Sequence, residues 1–134
     1  MTQVEDIEGI GPAQAAKLKT IGITTVEGLL EKGATSKGRD EIEEATSISG
    51  KSVLRWVNHA DLYRIKGVAA EFAELLEAAG VDSVPELAQR NPANLRAKME
   101  EVNEAKKLTR RLPSESQVTT WVAEAKTLPR VVTH

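Results

Sequence analysis

The chain has 134 residues and a formal net charge of −2, with 28% of its residues charged and 3% aromatic. It contains no cysteine, which excludes disulfides, thiolate nucleophiles and cysteine metal sites. No apolar run approaches the roughly 20 residues that a membrane-spanning helix needs. We therefore expect a soluble cytoplasmic protein of one or two small domains, with an aliphatic core and no membrane partner.

The first motif is the turn Gly9-Ile10-Gly11, which is followed by Pro12 and preceded by a short helix predicted over residues 4–8. Glycine takes positive φ at little steric cost, and Pro12 suits the first turn of a helix because it has no N–H. Unpaired N–H groups at a helix N-terminus bind anions. The three turn residues are therefore candidate phosphate ligands, with the isoleucine side chain expected in the core.

Charged residues on both sides of this turn act in opposite directions. Lys17 and Lys19 lie on the helix predicted after the turn, where they can reach a neighbouring phosphate or serve as ordinary solvated lysines. Glu5, Asp6 and Glu8 precede the turn and would repel a phosphate. The acidic residues argue against tight anion binding at this site.

Three further helices are predicted in the first half. Thr24 and Glu27 have the spacing of a capping box, which predicts a helix that ends near Gly33. Residues 34–38 are predicted as a loop and residues 39–45 as a charged helix.

A longer helix is predicted from Gly50 towards residue 62, with Ser49 as its N-cap. Its buried face is expected to consist of Val53, Trp56, Val57 and Ala60. His59 is predicted to be exposed, and Trp56 is predicted to be a core residue rather than a base-stacking one.

The pattern then repeats, which indicates an internal duplication. Residues 65–70 match residues 7–12 at an offset of 58, and Trp121 matches Trp56 at an offset of 65. The pairs at the first offset include Ile7 and Ile65, Gly9 and Gly67, Ile10 and Val68, Leu18 and Leu76, Gly22 and Gly80, and Val26 and Val84. Ala69 replaces the second glycine, and its methyl group can block the turn geometry or the approach of a phosphate. This second turn is predicted to be mainly structural.

The densest basic cluster lies near the end of a helix predicted over residues 92–108. It consists of Lys106, Lys107, Arg110 and Arg111, which on a helix would form a stripe that follows a phosphate backbone or binds an acidic partner. The alternative is a solvated face balanced by Glu100, Glu101 and Glu104. A smaller cluster, Lys32, Lys37 and Arg39, surrounds the loop predicted in the first half.

The last helix is predicted to begin after Ser114 or Ser116, to extend to about residue 127 and to be followed by a frayed tail over residues 130–134. No stretch alternates with period two, so the sequence predicts an all-α protein.

The stretch IEGIGPAQAAKLKTIGI resembles the helix-hairpin-helix motif in its order of helix, glycine turn, helix and glycine. The resemblance implies two tandem helix-hairpin-helix (SAM-like) units of about 60 residues each, packed together. Residues 1–61 would form the first, and residues 62–134 the second and more degenerate one, with a flexible C-terminal tail. In that family the N–H groups of the hairpin hold a nucleic-acid phosphate, and some hairpins bind a monovalent cation through their carbonyl groups.

At full length the chain also resembles an uncharacterised family, found mainly in bacteria and catalogued as a domain of unknown function. This resemblance rests on IEGIGP, TTVEGLLEKGATSKGR, WVNHADLYRIKG and RRLPSESQVTTWVAEAKTLP. It implies a fold and a weak association with nucleic acid, but no known activity.

Two functions remain open from the sequence, besides that of an accessory domain that works only alongside a catalytic partner. The first is non-enzymatic, sequence-independent binding of nucleic acid through phosphate contacts at Gly9, Ile10 and Gly11. We expect the nucleic acid to be DNA rather than RNA. The second is a protein-interaction or scaffold module that keeps the fold without binding nucleic acid. No catalytic triad or carboxylate pair stands out, so we expect no enzyme, no small-molecule substrate and no metal site, and no cofactor apart from that possible cation.

Overall fold

The computed structural model describes residues 2–134, which form an all-α fold with one isolated antiparallel bridge between Gln3 and Thr25. A 3₁₀-helix, Val4–Asp6, precedes the α-helices. Over the described residues the α-helices are α1 Pro12–Lys19, α2 Val26–Gly33, α3 Ser36–Thr46, α4 Gly50–Leu62, α5 Ala70–Ala78, α6 Val84–Ala88, α7 Pro92–Lys106 and α8 Glu115–Ala125.

The chain divides into two compact units. Unit 1 is the part up to Asp61 together with Val131–His134, and unit 2 is Leu62–Arg130. Each unit has its own aliphatic core. Fully buried side chains in unit 1 include Ile7, Leu18, Leu29 and Ile42, and those in unit 2 include Ile65, Leu75, Leu76, Leu87, Leu95 and Met99. The aliphatic core predicted from the composition is therefore present in both units.

Helix α2 begins one residue later than the predicted capping box requires. Thr25, not Thr24, is the N-cap, and its side-chain oxygen accepts a hydrogen bond from the Gly28 N–H at 2.9 Å. The carbonyl of Thr24 instead accepts from the Val4 N–H at 3.0 Å. Because Gly28 and not Glu27 occupies the N3 position, the predicted capping box is wrong.

The loop predicted over residues 34–38 covers only residues 34 and 35 in the structure, because α3 begins at Ser36 with Thr35 as its N-cap. Gly38 lies inside the helix and is buried. A Cβ atom there would lie 1.9 Å from the carbonyl oxygen of Lys32. The glycine is thus explained by a close approach of backbone to backbone, whereas the sequence pattern indicated a turn.

The C-terminal segment is not frayed as predicted. Val132 is only 3% exposed, and the Thr133 N–H donates to the carbonyl oxygen of Ala34 at 2.8 Å. The guanidinium of Arg39 donates to the carbonyl oxygen of Thr133 at 2.6 Å. These contacts hold the segment in unit 1.

Helix α4 carries the predicted buried face, and Trp56 is a core residue at 4% exposure, as predicted. His59 was expected to be exposed but is fully buried. Every residue from 56 to 62 is buried, so the C-terminal half of α4 has no solvent-facing side. A prediction of exposure from helical periodicity fails there, because periodicity presumes one wet face.

Candidate nucleic-acid interface

The turn of the first hairpin (residues 7–12) is built by one glycine with positive φ and one buried isoleucine. Gly9 has φ +96°, and the Ile10 N–H closes the turn on the carbonyl oxygen of Ile7 at 3.1 Å. Ile10 is buried at 4% exposure, whereas Gly9 and Gly11 are exposed. The predicted role of the isoleucine as a core anchor is confirmed, and it leaves the backbone of the two glycines at the surface.

Gly11 is the N-cap of α1 and has no side chain with which to cap the helix. Its backbone is extended, with φ −85° and ψ −179°, and Pro12 occupies the first turn. Apart from Gly11 itself and its two chain neighbours, no heavy atom of the described chain lies within 4 Å of the position that a Cβ atom on Gly11 would take. The first amides of α1 have no acceptor inside the helix and carry the positive end of its dipole. The start of α1 is thus open to an anion.

Lys17 and Lys19 are exposed and lie towards the opposite end of α1 from the turn. Both lie in the last turn of α1, roughly 7 to 11 Å along the axis from Pro12 at 1.5 Å per residue. At that end their positive charges interact favourably with the helix dipole, whether or not an anion is bound. They can therefore contribute to anion binding at the N-terminus of α1 only as far as their long side chains reach.

Two side chains of α4 lie at Gly9, although neither was predicted to be near the turn. The indole Nε1 of Trp56 and a guanidinium nitrogen of Arg55 lie 3.2 and 3.4 Å from the place of a Cβ atom on Gly9. The tryptophan repeats along the chain together with the glycine turn, and this joint repetition was the signal that could have revealed the contact. The turn thus has an indole N–H and a cation beside it.

The second hairpin (residues 65–70) has the same backbone. Gly67 has φ +91°, the Val68 N–H donates to the carbonyl oxygen of Ile65 at 3.1 Å, and Trp121 Nε1 lies 3.3 Å from the place of a Cβ on Gly67. Ala69 caps α5 with φ −129° and ψ −164°, an extended conformation that any residue adopts. The prediction that its methyl group blocks the turn geometry is therefore wrong.

The second hairpin carries an internal carboxylate. The Lys66 N–H donates to Oε1 of Glu124 at 3.1 Å, from the last turn of α8. At the offset that relates the two tryptophans, the residue of unit 1 that corresponds to Glu124 is His59. One backbone N–H of the second hairpin is therefore already hydrogen-bonded to a carboxylate of the same chain.

The basic cluster of residues 106–111 does not form the predicted helical stripe. Helix α7 ends at Lys106, and Lys107 has φ 52° and ψ 49°, a left-handed conformation that terminates a helix. Arg110 and Arg111 follow in the connection to α8, and all four basic residues are exposed.

Two of the three acidic residues that the alternative names form ion pairs within α7. Glu100 pairs with Arg96, and Glu101 pairs with Lys98 at 3.8 Å, both within the helix. In the described part of the chain, the side chains of the four basic residues form no ion pair. Glu104, the third of these acidic residues, is exposed and lies on the helix that ends at Lys106.

The smaller basic cluster is mainly structural. Arg39 is only 7% exposed and also donates to the carbonyl oxygens of Gly33 and Ala34, at 2.8 and 3.2 Å. Lys32 contacts Glu41 at 2.5 Å, and this hydrogen-bonded ammonium holds the pKa of the Glu41 carboxyl below its usual value. Lys37 is exposed and is the member of this cluster that is accessible to an anion.

Across residues 2–134, no group of three or more potential ligand side chains is placed to hold a metal ion. Among the same residues no helix is both long enough and apolar enough to cross a membrane.

Fold and site together define an all-α protein of two helical units, each with a tryptophan packed at a glycine turn. Residues 8–128 match the model of the DUF4332 family, described as a domain of unknown function, and the chain belongs to that family. Comparisons with curated proteins and with solved structures gave no match.

Proposed function

We propose that this protein is a non-enzymatic module that binds the phosphate backbone of nucleic acid, DNA in the first place, at the first hairpin. The observation that supports the proposal is the exposed start of α1 at Gly11, where no side chain covers the first amides of the helix. Phosphate contacts position a protein on nucleic acid without reading its sequence. The binding is therefore sequence-independent.

The chemistry of the turn suits a phosphate oxygen. The amides at the start of α1 donate hydrogen bonds, and the absence of a Cβ on Gly11 lets a phosphate approach the backbone closely. Arg55 adds a positive charge beside Gly9. Glu5 and Glu8 are exposed and oppose an anion, so the affinity is modest. The affinity falls with salt, as is expected for phosphate binding.

The test is a fluorescence-anisotropy titration of labelled duplex DNA, single-stranded DNA and RNA, at low and moderate salt. Gly11→Glu places a carboxylate at the open helix start and is expected to abolish binding. Ala69→Glu makes the same change at the corresponding position of the second hairpin and is the matched control. It is expected to leave binding intact, and circular dichroism of both variants checks that they fold.

Binding that survives Gly11→Glu would contradict this location of the site. Absence of binding by the unmodified protein at low salt would contradict the function itself. The second candidate, a protein-interaction module, is favoured by the carboxylate of Glu124 on the second hairpin and by the net charge of −2. In that case the partner is a protein, and the hairpins serve as packing elements.

A further inference from the structure

The connection between α7 and α8 concentrates positive charge on an acidic protein. We call residues 106–111 the basic loop, although its first residue still ends α7. With a net charge of −2 for the chain and +4 for this segment, all other residues together carry −6. Exposed like charges this close repel one another unless an anion lies nearby. The segment therefore places four of the 18 basic residues of the chain within six positions.

Apolar residues between and after the cations hold the basic loop on the core of unit 2. Leu108 and Leu112 pack against that core, and Thr109 is only 8% exposed. Pro113, which follows, is also buried. The side chains that are not basic thus point to the protein, and the basic ones are left at the surface.

A hydrogen-bonded brace fixes the backbone of the basic loop. The side chain of Asn103 donates to the carbonyl oxygen of Thr109 at 3.1 Å and accepts from the Thr109 N–H at 2.9 Å. The Thr109 hydroxyl donates to the carbonyl oxygen of Arg111 at 3.0 Å. Arg96 donates to the carbonyl oxygen of Pro113 at 3.1 Å. The loop is thus bound at its middle and at its end.

We propose that the basic loop is a second phosphate-binding surface for the nucleic-acid backbone, and that Asn103 and Thr109 are its positioning residues. This inference rests on the proposed function but uses a different part of the molecule. Guanidinium groups bind phosphate through paired hydrogen bonds. A braced backbone reduces the conformational entropy lost when those cations engage the ligand.

The dependence of affinity on salt measures the contribution of the charges. Arg110→Gln with Arg111→Gln removes two cations, and we expect the slope of log K against log salt for duplex DNA to become shallower by about 0.9 for each phosphate that is no longer neutralised. Lys126→Gln is the control, because Lys126 is an exposed cation at the end of α8 in the same unit. We expect this control to keep the slope of the unmodified protein.

Variants of the brace separate positioning from charge. Asn103→Ala keeps every charge, so we expect an unchanged salt slope and an affinity several-fold lower at each salt concentration. Thr109→Val, which removes only the hydroxyl contact with Arg111, provides a milder second variant. Circular dichroism checks that both variants remain folded, and an affinity of Asn103→Ala equal to that of the unmodified protein would contradict the positioning role.

Four outcomes separate this inference from the proposed function. A shallower slope in the double arginine variant but not in Lys126→Gln supports the basic loop. An equal slope in all three proteins, with binding abolished in Gly11→Glu, overturns the basic loop and leaves the hairpin site. Loss of binding in the arginine variant with retention in Gly11→Glu overturns the hairpin site alone. No binding by the unmodified protein overturns both.

Discussion

The first and second hairpins have the same backbone conformation but differ in the residues that surround it. Gly9 and Gly67 have φ values of +96° and +91°, and the indole nitrogens of Trp56 and Trp121 lie beside them at 3.2 and 3.3 Å from the place of a Cβ atom. The conformation of the turn therefore depends on a glycine, an apolar anchor and a tryptophan. Both units contain those elements, while the residues around them differ.

Some of the residues that differ between the two units have opposite charges near the turn. At the offset of 58, Glu8 corresponds to Lys66, and Lys19 corresponds to Glu77. The helix start also differs, because Gly11 is replaced by Ala69. Neither helix start is capped by a side chain, but Gly11 has no Cβ atom whereas Ala69 has one, and in unit 2 the Lys66 N–H before the turn donates to a carboxylate. Shape alone does not make such a turn a binding site, and its electrostatic surroundings have to be considered residue by residue.

The largest expected effect tests whether the tryptophans are equivalent anchors. Trp121→Ala removes a side chain that is 2% exposed, and we expect it to lower the free energy of unfolding by about 3–5 kcal/mol. Trp121 also contacts Phe72, with ring centroids 5.3 Å apart. Such a pair adds about 0.5–1.5 kcal/mol. We therefore expect Trp56→Ala to cost less than Trp121→Ala.

Urea denaturation followed by circular dichroism measures both variants. Each variant retains one of the two tryptophans of the chain, so its fluorescence reports on the other unit. A larger loss of stability for Trp56→Ala than for Trp121→Ala would show that the ring contact with Phe72 does not distinguish the two units.

The next prediction separates the two glycines of the first hairpin. Gly9→Ala forces a Cβ atom into a positive-φ position beside the indole of Trp56, and we expect it to cost about 1–2 kcal/mol of stability. Gly11→Ala changes stability by less than about 0.5 kcal/mol, since a stiffer unfolded chain offsets a poorer N-cap. Ala69 already occupies the corresponding position in unit 2. Thermal and urea unfolding compare the two variants, and an equal loss of stability in both would contradict the assignment of the strain to Gly9.

Much of the fold could be predicted because it depends on local signals. The glycine turns, the helix after Pro12 and the buried face of α4 follow from backbone preferences and helical periodicity. The start of α3 could not be predicted, because the glycine at position 38 is required by the close approach of the Lys32 carbonyl oxygen and not by a turn. The docked C-terminal segment escaped prediction for a related reason. Arg39 and its acceptor Thr133 are 94 residues apart in the sequence. The sequence alone also does not distinguish a buried arginine such as Arg39 from an exposed one.

The candidate site shows the same division. The turn itself was visible in the sequence, since glycine and proline encode their conformations directly. The basic residues were visible too, but their geometry was not, because the left-handed conformation of Lys107 ends α7 early without a glycine to mark it. Glu124 at the Lys66 amide, like Asn103 at Thr109, depends on a contact between residues distant in the sequence or on a loop closure. Periodicity carries no information on either contact.

The last prediction concerns the residue of unit 1 that corresponds to Phe72 at the offset of 58. Gln14 stands there, and its Oε1 is buried without a hydrogen-bond partner among the described residues. An unsatisfied buried acceptor costs about 1–3 kcal/mol. Gln14→Leu removes that acceptor while keeping an apolar stem of similar size, so we expect the free energy of unfolding to rise by about 1 kcal/mol. The converse change, Phe72→Gln, is the control and is expected to lower it. A loss of stability in Gln14→Leu under urea would show that this side chain is satisfied in solution, and that unit 1 does not carry the polar cost that the comparison with unit 2 assigns to it.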